Sequence, residues 1–168
     1  VIADDHAIVR EGLKRIVASE PDFQVVDEAG DGNEVLRIVR EREFDVLLMD
    51  LSMPGRSGME LIKLVKAERA KLRVLVLSMH QEHQYAVRAI KSGASGYLTK
   101  ESAPALLAQA IHKIAGGGAW ISAEVAEQLA LGAMPGAATA PHESLSDREF
   151  EVFRLLAAGV SVTDIGHQ

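Results

Sequence analysis

Five short apolar runs alternate with amphipathic stretches along the first two thirds of this chain, and that alternation leaves little choice of fold. The runs occupy 1–4, 24–28, 45–50, 73–78 and 96–98. Most are almost continuously apolar, as strands covered on both faces are. Between them, apolar residues recur at helical spacing. Val9, Leu13, Ile16 and Val17 share one face of a first helix. Val35, Leu36, Ile38 and Val39 mark a second, and Met59, Leu61, Ile62 and Val65 a third. A fourth spans about 83–92 and stops at Gly93, a residue type suited to a left-handed helix end. A fifth begins at Ser102, which has N-cap chemistry, carries Pro104 in its first turn and ends at Gly116-Gly117-Gly118. Five such strand–helix units in succession predict an α/β domain with a doubly wound parallel sheet over 1–118. Val1-Ile2-Ala3 is short for a central strand, which suggests that a few residues precede Val1.

The pattern changes after residue 118. A short helix is expected over 122–131, within a linker that covers 119–144. Residues 132–144 are rich in Ala, Gly and Pro and have no apolar period. In 145–168, Ser146 and Glu149 form a capping box ahead of Phe150, Phe153, Leu156 and Ala157 at helical spacing. Gly159 ends that helix, and Ser161 can cap another that the sequence leaves unfinished. This segment reads as part of a small all-α domain.

Composition narrows the function classes. The net charge is −6, which argues against a general basic surface for nucleic acid on these residues. No run approaches a membrane span, and the N-terminus lacks the basic and apolar regions of a signal peptide. With no cysteine, disulfides and thiolate metal sites are excluded, in keeping with a reducing cytoplasm.

One feature of the third run demands chemistry. Val46-Leu47-Leu48-Met49 ends in Asp50, and a buried strand should not end in a charge without a use for it. Doubly wound sheets place ligands at the carboxyl ends of their strands. Asp4 and Asp5 follow the first strand and Asp50 ends the third. In the flavodoxin-like order 2-1-3-4-5 these strands are neighbours, so the three carboxylates converge. Like charges at close range call for a counter-charge, and a hard divalent cation such as Mg²⁺ suits carboxylate oxygen. Ser78 ends the fourth strand and Lys100 follows the fifth. Cation, lysine and hydroxyl are what a phosphoryl group needs around its oxygens, with Asp50 as a carboxylate nucleophile. Each residue alone has a plainer reading. Asp4 and Asp5 could be a helix cap and a first-turn acid, Ser78 a strand-end hydroxyl, Lys100 a solvated lysine, and Tyr97 and Trp120 core residues. The six histidines show no metal-ligand spacing and read as surface or satisfied side chains. The ordered set at four strand ends is what favours phosphoryl chemistry.

Those residues also carry a resemblance. ADDH at 3–6, MDLSMPGRSG at 49–58, LSMH at 77–80 and GASGYLTK at 93–100 resemble the receiver domain of bacterial two-component response regulators. LSDREFEVFRLLAAGVS at 145–161 resembles the start of a LuxR-type helix-turn-helix, and the combination resembles the NarL/FixJ subfamily of transcription factors. The resemblance implies Asp50 as phosphoacceptor from a sensor histidine kinase. It implies Mg²⁺ held by Asp5, Asp50 and the backbone carbonyl of Ser52, with Asp4 acting through water. Lys100 would pair with one phosphoryl oxygen and Ser78 would move to bond another. Tyr97 would follow inward and alter the surface of the fourth helix, fifth strand and fifth helix. Ser52 and His80, flanking the site, would tune the lifetime of the phosphoryl group. The response would be a homodimer whose full-length C-terminal domain binds DNA. The recognition helix would follow Gln168, and within 145–168 only Arg148 and Arg154 stand against Asp147, Glu149, Glu151 and Asp164. These residues alone are therefore not expected to bind DNA.

Three rivals remain. A receiver could act by protein contact alone, or be a degenerate form that is never phosphorylated. A phosphatase of the haloacid-dehalogenase type would need a second Asp two residues after the nucleophile, where Ser52 stands. The reading is of a protein that transfers phosphate to itself and is not an enzyme with turnover.

Overall fold

The computed structural model describes residues 1–54, 56, 58–79, 83–133, 149, 152, 153 and 156. The strands are β1 (Ile2–Ala3), β2 (Glu28–Ala29), β3 (Val46–Asp50), β4 (Arg73–Ser78) and β5 (Gly96–Thr99). The helices are α1 (Ala7–Ala18), α2 (Gly32–Glu41), α3 (Gly58–Glu68), α4 (His83–Lys91), α5 (Ala103–Ala115) and α6 (Ala123–Gly132). The sheet is parallel and ordered β2-β1-β3-β4-β5, the flavodoxin-like arrangement. One compact unit covers Val1–Leu129 and a second Ala130–Gln168.

Both faces of the sheet are buried, which is why its strands are apolar without alternation. Leu48, Leu75, Leu77 and Leu98 pack with Leu13 and Val17 of α1 and Leu107, Ile111 and Ile114 of α5. Their strand neighbours Leu47, Met49, Val74 and Val76 point to the opposite face and are fully buried too. The buried residues of α2 and α3 include every residue of the stripes expected for them. Gly93 ends α4 with φ +109, the left-handed conformation a helix stop requires.

Two local expectations change. The second strand lies at Glu28–Ala29, not over 24–28. Ile2 is registered against Glu28 and Ala3 against Ala29. Nor does the Ser102 side chain cap α5. Its hydroxyl instead accepts from the Thr99 hydroxyl at 2.9 Å, and Thr99 Oγ1 accepts the Ser102 N–H at 3.2 Å.

After α5 the chain returns to the sheet edge. Trp120 bridges Gly96, with the Tyr97 N–H donating to the Trp120 carbonyl at 2.9 Å. Ser122 then caps α6, its hydroxyl accepting the Val125 N–H. Val125 is buried against Ala86 and Val87 of α4, with Tyr97, Ile121 and Leu129 packed around them. In the second unit, Glu149, Val152, Phe153 and Leu156 are helical; the Ser146 cap, Gly159 stop and Ser161 start lie outside the described residues. Among the described residues no helix is long and apolar enough to cross a membrane.

Candidate functional site

β1 and β3 are hydrogen-bonded neighbours, with Ala3 beside Met49, so the residues that follow them emerge side by side at the carboxyl edge of the sheet. Asp50 is 2% exposed and Asp4 is fully buried, while Asp5, next along the turn, is exposed. Oxygen atoms of all three carboxylates, together with a nitrogen of His6, lie within 4.8 Å of one another. The convergence expected from strand order is therefore present.

Lys100 enters from the far side of β4. Its N–H donates to the Ser78 carbonyl at 2.8 Å, which anchors the start of the β5–α5 turn against the end of β4. Its ammonium, 13% exposed, lies 2.9 Å from Asp50 Oδ2 and 2.6 Å from Asp4 Oδ2. Burial pulls this ammonium down, but its close pairing with Asp4 and Asp50 outweighs that and holds the group above its ordinary 10.5. One lysine thus serves two buried carboxylates, and Asp5 adds a third negative charge at the rim.

That imbalance tests the site for a cation. Among the described residues, Asp4 Oδ2 is buried with no directed hydrogen-bond partner, although the Lys100 ammonium is close. Asp4 Oδ1 is already used, accepting the His6 N–H at 2.9 Å. Oxygen donors, surplus negative charge and one exposed carboxylate fit a hard divalent ion, which the cluster of Asp4, Asp5 and Asp50 can hold.

The other expected residues fall around this centre. Ser78 is fully buried at the end of β4, paired with Thr99 of β5. Tyr97 of β5 is half-buried and packs against the cluster of Ala86 and Val87 of α4 with Val125 of α6. Ser52 is exposed two residues after Asp50, between buried Leu51 and Met53. His80 lies outside the described residues. The chain after Asp50 turns back so that the Gly58 N–H donates to the Leu51 carbonyl at 3.0 Å, with Gly58 at φ +59. His6, read from sequence as a surface side chain, is exposed, yet its Nδ1 sits 2.8 Å from Asp5 Oδ1.

Two residues at the site gave no usable signal in sequence. Gly32 starts α2 where the β3–α3 loop crosses it; an added Cβ would lie 1.7 Å from the Arg56 carbonyl oxygen. Arg10 of α1 donates from Nη1 to the Asp4 carbonyl at 2.6 Å and lies 3.3 Å from Glu28 through Nε. A glycine at a helix start and an arginine on a helix surface are both commonplace, so neither stands out before the fold is known.

Comparison with known proteins matches this geometry. A family model described as the response regulator receiver domain covers residues 1–112. Response regulator UvrY of Escherichia coli (strain K12) is 33% identical over 169 residues, spanning 100% of this chain and 78% of that protein. A two-component response regulator of the LuxR family from Aurantimonas sp. SI85-9A1 superposes with a TM-score of 0.71 at 41% identity, covering 77% of this chain and 92% of that one. The RcsB response regulator of Salmonella typhimurium, solved for its conformational dynamism in DNA interaction, matches at a TM-score of 0.70 and 30% identity over 99% of this chain and 79% of its own. An RcsB–DNA complex matches with the same TM-score of 0.70.

Proposed function

The chain belongs to the response regulator receiver domain family and is a response regulator of a two-component system, and from that premise we propose that Asp50 accepts a phosphoryl group from a sensor histidine kinase. The observation that carries this reading is a buried carboxylate at the end of central strand β3 with an ammonium 2.9 Å from its Oδ2. A carboxylate oxygen of Asp50 attacks the phosphorus of a phosphohistidine. The phosphorus–nitrogen bond breaks, the imidazole departs with a proton, and an acyl phosphate forms.

Asp5, Asp50 and the backbone carbonyl of Ser52 are the residues to hold Mg²⁺, with Asp4 acting through water. The ion, when bound, offsets charge on the phosphoryl oxygens. Lys100 exchanges its pairing with Asp4 and Asp50 for a phosphoryl oxygen, and the Ser78 hydroxyl donates to another. Tyr97 turns inward behind Ser78, which alters the surface of α4, β5 and α5. Ser52 and His80 control water access to the acyl phosphate and so its lifetime.

In this reading 1–118 is the receiver, 119–144 the linker and 145–168 the start of a LuxR-type helix-turn-helix. Phosphorylation favours a homodimer whose full-length C-terminal domain binds DNA and controls transcription in the cytoplasm. The RcsB–DNA complex supports the DNA-binding part. The output is regulation and not turnover of a substrate.

Intact mass after incubation with acetyl phosphate and Mg²⁺ tests the assignment. The mass should rise by one phosphoryl group, and the gain should vanish with EDTA and in Asp50→Asn. An Asp50→Asn protein that labels at the normal rate overturns it.

A further inference from the structure

Three carboxylates within 4.8 Å of one another repel, and what holds them together deserves a physical account. Asp50 is fixed by its strand and Asp4 is packed away from solvent. Asp5 is different: it sits exposed on a turn of Asp4, Asp5 and His6 before α1 begins at Ala7, and repulsion from the buried pair drives it outward. Rotation of the Asp4–Asp5 peptide would be enough to carry it off.

That peptide is held from behind. Arg10, one turn into α1 and 21% exposed in its side chain, donates from Nη1 to the Asp4 carbonyl at 2.6 Å. The other side of its guanidinium faces Glu28 of β2, with Nε 3.3 Å from Oε2. Glu28 is itself fixed by Lys14, whose Nζ donates to Oε1 at 2.8 Å, and by its register against Ile2. A charge-assisted bond to a carbonyl is short and directional, and a guanidinium clamped on its second side loses little freedom in making it.

We infer that Arg10 is a positioning residue for phosphoryl acceptance: it locks the Asp4–Asp5 peptide so that Asp5 stays turned toward Asp4 and Asp50. The inference rests on the acceptor reading of Asp50 only for its functional meaning; the clamp itself is a property of α1, β1 and β2. It also makes a prediction of sign. By Coulomb's law alone, removing a cation from beside an acidic cluster strengthens cation binding. Loss of a positioning clamp weakens it.

Two variants separate these effects. Arg10→Met keeps an unbranched apolar stem and removes the donor, whereas Arg10→Lys keeps an N–H donor that reaches nearly as far as Nη1. Mn²⁺ alone, titrated against the protein and followed through the electron paramagnetic resonance of the free ion, reports affinity without any phosphodonor. Arg10→Met should weaken Mn²⁺ binding by roughly tenfold, and Arg10→Lys should recover much of the loss. Hydrogen exchange at the His6 amide, which bonds to Asp4 Oδ1, should accelerate in Arg10→Met and recover in Arg10→Lys, with or without metal. Mn²⁺ affinity that is unchanged or raised in Arg10→Met overturns the inference, as does unaltered His6 exchange. A lysine variant as weak as the methionine variant also overturns it. Failure of the acceptor reading would show differently, as the absence of acetyl phosphate labelling in the wild-type chain, with the exchange result still standing.

Discussion

Replacing Lys100 by methionine should cost far more stability than replacing Asp50 by asparagine, although the two side chains form one ion pair. The reason is the local charge count. Asp4 and Asp50 are both buried, and the single ammonium of Lys100 lies 2.6 Å from one and 2.9 Å from the other. Lys100→Met leaves two negative charges in a space that admits almost no water. Breaking a buried pair by removing one partner destabilises by about 3–5 kcal/mol. Lys100 keeps some contact with solvent, so a loss of about 3 kcal/mol is expected, which lowers Tm by roughly 6–12 °C. Asp50→Asn removes one of the two competing carboxylates and leaves Lys100 paired with Asp4. Without divalent cations its stability should equal or exceed that of the wild type. Adding Asp50→Asn to Lys100→Met should restore part of the loss, so the two substitutions are not additive. Thermal and urea unfolding followed by circular dichroism in EDTA measures all four proteins. If Lys100→Met melts with the wild type, or if Asp50→Asn destabilises as much as Lys100→Met, the charge-imbalance argument is wrong.

Gly32→Ala should disturb both stability and the site. Its Cβ would stand 1.7 Å from the Arg56 carbonyl oxygen, where carbon–oxygen contacts are normally about 3.3 Å or more, and no side-chain rotation can relieve a backbone clash. A loss of about 2 kcal/mol and slower labelling of Asp50 by acetyl phosphate are expected, and an unchanged Tm with an unchanged rate would refute the tight approach. The Glu28 network sets a pH dependence. Lys14 first, and then Arg10, hold the Glu28 carboxyl below its ordinary 4.5, against the opposing effect of burial. A depressed carboxyl contributes its stability above the unfolded value and loses it as pH falls through the folded one. The group is partly solvated, so Glu28→Gln should cost less than about 1 kcal/mol at pH 7, and that gap should close as pH drops below about 4.5. A gap that persists or widens in acid would contradict the sign.

The sequence by itself determined where most of the strands and helices lie, because burial on both sheet faces requires continuous apolar runs and helix burial requires stripes. Val35, Leu36, Ile38 and Val39 were legible for that reason, and all four are buried. It also marked Asp50, since a carboxylate at the end of Val46-Leu47-Leu48-Met49 has no structural excuse. Register was not legible: nothing in the run 24–28 shows that Ile2 meets Glu28 and Ala3 meets Ala29. Nor could the Ser102 cap be judged, because the Thr99 hydroxyl competes for it. The site itself is a tertiary product. Lys100 and Asp50 stand 50 positions apart and meet only because β3, β4 and β5 lie side by side. Arg10 became more than a surface charge once α1 placed it behind the Asp4 carbonyl. Local composition encodes what a segment must bury. Which groups come within bonding distance depends on strand order and register, and these exist only when the sheet is formed.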